Sequence, residues 1–325
     1  MKLPFEKINR EVLIKKEANT NTEYGVNPEE RPIEELIKFG VINLDKPAGP
    51  TSHEVSAFVQ KILSVNKSGQ SGTLDPGVTG VLPIAIGRAT KVVQTLLKAG
   101  KEYHGVMHLH KDVSDEDLKK AVKKFTGKIK QLPPVKSAIR RQLRWREVYY
   151  FDILERDGKE VLFRTGVEAG TYIRKLIYDM GRGIGGANMA ELRRTKAGPF
   201  NDNDLITLHD LTDAYWFWKN EDNEKYIRKC IKPTEFAVQH IAKIWVPDNV
   251  VDSICHGIDL KIPGISKLNS KIKEKELVAI MSLKDELIAL GYTKMNSEQM
   301  MKENKGIAVS THKVFMEINT YPRIK

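Results

Sequence analysis

Apolar residues recur every three to four positions in several segments of the chain, which is the period of an amphipathic helix. Residues 53–64 are predicted to form one such helix, with Thr51 or Ser52 as its N-cap. Its expected core-facing residues are Val55, Phe58, Val59 and Ile62. The same period predicts further helices over residues 88–98, 114–125 and 171–180, and over part of residues 220–243.

Other segments alternate apolar and polar residues with period two, which predicts strands. Residues 103–110 have this pattern, residues 39–44 are predicted to form a short strand, and residues 148–168 are predicted to form two strands joined by a turn at residues 156–159. Helices and strands mix without a regular strand–helix–strand repeat. The pattern therefore predicts an α+β fold, built on a mixed and largely antiparallel sheet, instead of a doubly wound one.

The chain is expected to divide into three parts. Residues 1–35 are polar and turn-rich, and we expect an extension that packs on the C-terminal domain. A main domain of residues 36–242 is followed by a smaller one of residues 243–318. In the smaller domain, residues 277–293 and 306–318 are each predicted to form a hairpin, so we expect a small β-barrel.

Charge is the compositional feature that changes this picture. Of 325 residues, 53 are Lys or Arg and 42 are Asp or Glu, which gives a net charge of +11. Such an excess favours a polyanionic partner, and a nucleic acid is the usual one. The cations cluster in two segments, the first with Trp145 among them, and we predict RNA contacts at Lys136, Arg140, Arg141, Arg144 and Arg146 and at Arg193 and Arg194.

Other features of composition exclude several classes of protein. No apolar stretch approaches the roughly 20 residues of a membrane-spanning helix, and the N-terminus lacks the apolar core of a secretion signal. The two cysteines, Cys230 and Cys255, make neither a disulfide framework nor a zinc-finger spacing. We expect a cytoplasmic protein that does not contact a membrane.

Glycine-rich strings in the chain do not fit the nucleotide-binding motifs. Val78 stands where a phosphate loop needs a lysine, and the string at residues 181–186 follows a predicted helix instead of a strand. Three histidines share one predicted strand face with no further metal ligand in sight, so we expect surface or substrate-facing positions for His104, His108 and His110.

Asp75 lies in a glycine-rich loop between a polar approach and an apolar exit. Asp-Pro-Gly is by itself a turn, so Asp75 is either a turn residue or a functional carboxylate on an exposed loop. Arg174 follows Tyr172 by two residues at a predicted strand-to-helix turn. It either supports the start of the helix or pairs with a carboxylate and keeps that group ionised.

Five motifs in order along the chain resemble those of the bacterial TruB and eukaryotic dyskerin family of pseudouridine synthases. They are residues 42–47, 69–87, 101–103, 170–174 and 191–194. The C-terminal part resembles a PUA RNA-binding domain through Trp245 and residues 255–257, 263–265 and 306–309. The resemblance begins at about Tyr24 and extends over essentially all of the chain that follows.

The resemblance implies an enzyme that isomerises uridine to pseudouridine in RNA without a cofactor. Asp75 matches the catalytic carboxylate that attacks the flipped uridine, and Arg174 matches its partner. Tyr103 matches the aromatic residue that stacks on the target base, and Tyr172 the residue near the C5 proton of that base. The substrate pocket is expected to include Lys46 as a basic support, Leu192 as an apolar wall, and Gln70, Gly72 and Thr73 of the loop.

One position departs from the family pattern, because Gln70 stands where the family usually has a histidine associated with base flipping. The N-terminal extension and the basic segment 136–146 resemble the archaeal dyskerin type. That type implies box H/ACA guide RNA, rRNA and tRNA (at the T-arm uridine) as RNA partners, with the PUA domain holding the ACA end of a guide or the CCA end of tRNA. It also implies as protein partners the small proteins of the Nop and Gar types and the kink-turn-binding ribosomal-type protein.

Two other classes of function are alternatives to this one. A non-catalytic RNA-binding scaffold would use the PUA-like part and the basic segment, with Asp75 as a turn residue. A carboxylate-based glycoside hydrolase would need a second carboxylate placed for acid–base work, and no motif for one is apparent.

Overall fold

The computed structural model describes residues 1–133 and 140–323 of the chain. Its strands are β1 (Val12–Ile14), β2 (Gly40–Lys46), β3 (Ser68–Gln70), β4 (Thr79–Ile86), β5 (Lys101–Leu109), β6 (Gly127–Gln131), β7 (Arg144–Asp157), β8 (Glu160–Val167), β9 (Ala187–Ala197), β10 (Phe200–Asn201), β11 (Lys232–Pro233), β12 (Ala242–Trp245), β13 (Leu260–Lys261), β14 (Lys267–Asn269), β15 (Leu277–Met281), β16 (Leu287–Thr293) and β17 (Ile307–Val314). Its α-helices are α1 (Ile33–Lys38), α2 (Ser52–Leu63), α3 (Val93–Lys98), α4 (Asp115–Lys124), α5 (Ile173–Gly181), α6 (Leu208–Glu221), α7 (Glu224–Cys230), α8 (Asp248–Cys255) and α9 (Ser297–Lys302).

A large curled sheet forms the centre of the main domain. Within the described residues its strands follow the order β11-β2-β4-β9-β5-β8-β7-β6, with β3 beside β4 and β10 beside β9. The pairs are antiparallel except for β4 and β9, which run parallel at Thr79 and Gly80. Position 80 requires glycine, because a Cβ there would lie 2.3 Å from the carbonyl oxygen of Arg194. This junction brings the loop before β4 close to β9 and β5.

Helices cover the sheet in two groups. α2, α6 and α7 pack on the β2 and β4 part through a core that includes Val55, Leu211 and Ile227. α4 and α5 pack on the β5, β7 and β8 part through a core that includes Leu118 and Leu176. The second group places the start of α5 beside the loop before β4, because Leu74 and Val78 of that loop belong to the same core.

A second sheet forms the C-terminal domain, with the strand order β1-β14-β12-β15-β16-β17-β13 within the described residues. Its first strand comes from the N-terminal extension, since Leu13 of β1 lies opposite Leu268 of β14. The buried Arg31 guanidinium donates to both oxygens of Glu235, at 2.8 and 2.9 Å. Glu235 also accepts from the backbone N–H of Leu287 at 2.8 Å. These contacts tie the extension and both domains together.

Most of the predicted elements are confirmed, and so is the mixed α+β class with a largely antiparallel sheet. Residues 39–44 lie largely in β2 and residues 103–110 largely in β5, and β7 with β8 forms the predicted hairpin. The helix over residues 53–64 is α2, and Thr51 is its N-cap with a capping box to Glu54. No helix in the described parts of the chain is long and apolar enough to cross a membrane.

Three predictions of local structure were wrong. Phe58 is 45% exposed, because the buried face of α2 runs through Val55, Val59 and Leu63. The helix predicted over residues 88–98 is a 3₁₀-helix up to Val92 and becomes α-helical only in α3. Residues 306–318 do not form a hairpin: β17 continues through the Thr-His-Lys segment as a single strand along β16, and a register shift there absorbs one extra residue.

Candidate active site

The loop between β3 and β4 is fixed at its beginning by the side chains of Gln70, at the end of β3, and Ser52, in α2. The Gln70 amide oxygen accepts from the backbone N–H of Gly72 at 2.6 Å, and the amide nitrogen donates to the Thr73 hydroxyl at 3.2 Å. The Ser52 hydroxyl accepts from the N–H of Leu74 at 2.8 Å and donates to its carbonyl at 3.2 Å. These bonds hold the backbone on the N-terminal side of Asp75.

A buried lysine fixes the C-terminal side of the same loop. The Lys46 ammonium group donates to the carbonyl oxygens of Pro47, Pro76 and Val78 at 2.8, 2.9 and 3.0 Å. Burial lowers the pKa of Lys46, and the negative charge of Asp75 partly opposes that shift. Because its side chain is buried, Lys46 supports the loop from beneath and does not line an open pocket.

Arg194 lies under the loop and joins it to β9. Its Nε donates to the Val81 carbonyl at 2.7 Å, and its two Nη atoms donate to the Gly72 carbonyl at 3.3 and 3.2 Å. Only 1% of Arg194 is exposed, and this desolvation lowers its pKa, whereas the nearby Tyr103 hydroxyl raises it. The predicted RNA contact at Arg194 was therefore wrong, because a buried guanidinium bound to two carbonyls cannot reach a phosphate.

Asp75 forms an ion pair with Arg174 at the open side of the loop, although the two residues are 99 positions apart. The contact joins Asp75 Oδ2 to Arg174 Nη2, and the side chains are 56% and 60% exposed. Arg174 is in the first turn of α5, and Tyr172 immediately precedes that helix. The arrangement presents a carboxylate to an incoming ligand, with a permanent positive charge beside it.

The predicted base-binding residues lie on the elements that carry this pair or pack against its loop. Tyr103, on β5, is largely buried and packs in the same core as Leu74, Val78 and the partly buried Leu192 of β9. The position of Tyr172 is fixed through its backbone. Its N–H donates to the Gln131 side chain at 3.1 Å, and its carbonyl accepts from the same amide at 3.2 Å. Tyr103 and Leu192 thus share a core with the residues on both sides of Asp75, and Tyr172 immediately precedes the helix that carries Arg174.

The predicted RNA-binding cations differ in their surroundings. Arg140 and Arg141 are exposed, whereas Arg144 and Arg146 are half-buried and line a small crevice with Gly170 and Tyr172. Arg193 is held by Asp45, with two bonds of 3.0 and 2.9 Å. Lys136 lies outside the described residues.

Of the three histidines predicted to share a strand face, His104 on β5 is half-buried, whereas His108 on β5 and His110 just after it have polar partners. His108 contacts Glu160, and His110 contacts Asn188 at 2.8 Å. Among the described residues, no group of three or more His, Cys, Asp or Glu side chains is arranged to hold a metal ion. Cys230 and Cys255 are both buried free cysteines.

Sequence reasoning missed two residues that shape the site. Ser52 appeared only as a possible helix cap, but Thr51 takes that role and Ser52 clamps Leu74. Gln131, which clamps Tyr172, had no signal in the sequence, because its partner lies 41 residues away on another element.

Comparison with known proteins agrees with this geometry. Residues 60–173 match the TruB family pseudouridylate synthase N-terminal domain, and residues 174–239 match the tRNA pseudouridylate synthase B C-terminal domain. Residues 1–56 match the DKCLD domain, and residues 242–315 match the PUA domain. The fold and the site thus define an RNA-modifying isomerase with a PUA domain.

Individual relatives match over nearly their whole length. A probable tRNA pseudouridine synthase B of Pyrococcus furiosus is 57% identical over 98% of this chain and 94% of its own. One from Methanopyrus kandleri is 53% identical, over 99% and 95%. The chain therefore belongs to the TruB family of pseudouridine synthases.

Two solved structures share the complete fold. The chain in a Cbf5-Nop10-Gar1 complex has a TM-score of 0.94 and 56% identity, over 99% of this chain and 98% of that one. The chain in an H/ACA RNP bound to a substrate RNA containing 2'-deoxyuridine has a TM-score of 0.93 and 54% identity, over 99% of both chains.

Proposed function

We propose that this chain isomerises uridine to pseudouridine in RNA with Asp75 as its catalytic carboxylate. The observation that carries the proposal is the exposed Asp75–Arg174 pair, on a loop that Lys46 and Arg194 anchor from below. A turn residue without a catalytic role would not need a buried ammonium and a buried guanidinium beneath it. Burying these two charges costs desolvation free energy. A catalytic loop accounts for that cost, because its groups must be held in place before the substrate binds.

The reaction moves one bond and exchanges one proton position, so it needs no oxidant or reductant. The glycosidic bond from C1′ to N1 breaks, the uracil rotates, a bond forms from C1′ to C5, C5 loses its proton and N1 gains one. Asp75 supplies the nucleophile that starts this sequence, on either the sugar or the base, and Arg174 orients it. Tyr103 stacks on the flipped base against Leu192, and Tyr172 accepts the C5 proton as a general base.

Gln70 takes part in this site as a loop residue. Both ends of its amide are bonded within the loop, to Gly72 and Thr73. This bonding supports a role in shaping the loop that receives the flipped base, in place of the histidine that the family usually has. Glutamine does not titrate near neutral pH, so we expect no pH dependence from this position.

The names of the relatives and of their complexes support a proposal for the RNA substrates and partners. We propose that the chain acts as the catalytic subunit of a box H/ACA RNP on rRNA, and that it also modifies the T-arm uridine of tRNA. Proteins of the Nop and Gar types and a kink-turn-binding ribosomal-type protein complete that particle, which acts in the cytoplasm. The proposed parts are an extension of residues 1–35, a catalytic domain of residues 36–242 and a PUA domain of residues 243–318 that holds the ACA or CCA end.

The test reads the product at a single uridine. RNA is incubated with wild-type protein, Asp75→Asn or Asp157→Asn, and pseudouridine is located by carbodiimide treatment and reverse transcription. Asp157 is the matched control, because it is an exposed aspartate at the end of β7, next to the turn that leads to β8. We expect product from wild type and Asp157→Asn and none from Asp75→Asn. Binding without product by the wild type would instead identify a non-catalytic scaffold.

A further inference from the structure

The exposed face of α5 leads away from the candidate active site. Arg174, Tyr178 and Arg182 are spaced by four residues and therefore share one face of the helix. The distance along the helix axis from Arg174 to Arg182 is about 12 Å, at 1.5 Å per residue. Tyr178 is 55% exposed, and the ammonium group of Lys175 lies 5.0 Å from the centre of its ring.

This face ends at a groove between α4 and the C-terminal end of α5, which we call the α4–α5 groove. Its volume is about 1010 Å³, and the cations that line it include Lys111, Lys124, Lys130 and Arg182. No ion pair between described residues involves any of these four side chains.

The acidic residues of the groove neutralise only part of this charge. Asp117 contacts Lys120, and Asp179 pairs with Lys175, so both are already engaged by other lysines. Asp112 is the one carboxylate of the lining that takes part in no ion pair between described residues. Four unpaired cations against one unpaired carboxylate leave the groove positive.

Aromatic rings accompany these cations. Trp145 is 62% exposed, and the Lys130 ammonium lies 5.7 Å from the centre of one of its rings. Rings beside cations suit an RNA strand, because bases stack on the rings while the cations neutralise phosphates. The unpaired cations favour a polyanion over a protein surface of mixed charge, because each phosphate that a cation neutralises adds to affinity.

We propose that the outer face of α5 and the α4–α5 groove bind the RNA that flanks the target uridine. The inference deepens the proposed function and rests on it, since the track begins at Arg174 beside Asp75. RNA leaving the active site passes Tyr178, on which one base stacks, and its phosphates then contact Arg182, Lys124 and Lys130.

The first test is electrostatic. Lys124→Gln/Arg182→Gln is compared with the control Lys61→Gln/Lys229→Gln, whose residues are exposed lysines on α2 and α7 of the other helix group. A box H/ACA guide RNA annealed to its target strand is titrated by filter binding at several salt concentrations. Each phosphate contact contributes about 0.7 to 0.9 to the magnitude of the slope of log affinity against log salt concentration. The groove variant loses two contacts, so the magnitude of its slope should fall by about 1.4 to 1.8. Its affinity should be roughly tenfold lower near 0.15 M salt. The control should match wild type in both affinity and salt slope.

The second test concerns stacking. Tyr178→Ala should lower the affinity for the same RNA by roughly five- to a hundredfold. Tyr178→Phe keeps the ring and should bind this RNA as the wild type does. Equal affinity and equal salt slope for the groove and control variants would refute the inference. Unchanged RNA affinity with weaker association of a small protein subunit would mean a protein site and would also refute it. Affinity does not depend on catalysis, so a wild type that binds but makes no pseudouridine would overturn the proposed function alone.

Discussion

Arg194→Lys tests the role of the buried guanidinium beneath the catalytic loop. In the wild type, Arg194 bonds the Gly72 carbonyl with two Nη atoms and the Val81 carbonyl with Nε. A lysine keeps the charge but reaches only one of these carbonyls, so about two hydrogen bonds from a charged donor are lost. At roughly 1.5 kcal/mol or more each, the free energy of unfolding should fall by about 3 kcal/mol.

The loss should appear in stability and in rate, but not in RNA affinity. For a chain of this size the melting temperature should fall by about 4 °C. The single-turnover rate at saturating RNA should fall by about a hundredfold, because the loop that carries Asp75 loses its anchor at Gly72 and a small misplacement is costly. Thermal melting, quenched single-turnover assays and filter binding measure the three quantities on one preparation.

The neighbouring residue supplies the control. Arg193→Lys is the same substitution at the adjacent position, but the Arg193 guanidinium binds the partly exposed Asp45 at the surface. Weakening this surface ion pair should lower the free energy of unfolding by about 1 kcal/mol or less and should leave the single-turnover rate within a few-fold of wild type. The reasoning is refuted if Arg194→Lys destabilises the fold yet keeps the wild-type rate, or if both variants mainly weaken RNA binding.

Three further predictions concern other parts of the molecule. Tyr172→Phe should keep RNA affinity within a few-fold but slow product formation by at least about a hundredfold, because the hydroxyl that accepts the C5 proton is missing; equal rates would remove that role. Burial, assisted by the positive charge of Arg194, lowers the pKa of Lys101 to about 7. Above pH 7 the unfolded chain therefore binds one more proton at this residue than the folded chain. The free energy of unfolding should then rise by up to about 1.4 kcal/mol per pH unit. Lys101→Met should reduce that slope in urea titrations between pH 7 and 9, and an unchanged slope would contradict the assignment. Changing the ACA triplet of a guide RNA should weaken filter binding by the whole protein at fixed salt, and unchanged affinity would contradict the role of residues 243–318.

Local structure could be predicted where one signal dominated. The capping residue at Thr51 and the turn between β7 and β8 were visible in the residues themselves. The prediction that Phe58 faces the core was wrong. The spacing of apolar residues along α2 allows a wide apolar face, but only part of that face packs against the rest of the protein. The hairpin predicted at residues 306–318 was wrong, because a few polar residues between two apolar runs are compatible both with a turn and with a strand that has a register shift.

The site could be predicted only in part. The residue types at Asp75 and Arg174 carried the chemistry, but their proximity depends on how α5 packs across the sheet. Arg193 and Arg194 were treated alike, yet neighbours on a strand face opposite sides, and here one side is the protein interior. The burial of Lys46 has no local signal, because two of the three carbonyls that it binds, those of Pro76 and Val78, lie at least 30 residues away in the chain.

The most direct test of the central claim follows the hydrogen at C5 of the target uridine. RNA carrying tritium at that position is saturated with wild-type protein or Asp75→Asn in a single turnover, and filter binding shows that both hold the RNA. Bond formation at C5 expels the tritium, so wild type should release it to water in step with product. Asp75→Asn should release less than a hundredth as fast with affinity unchanged within a few-fold. Release by Asp75→Asn at a rate near that of wild type would show that another group performs the reaction.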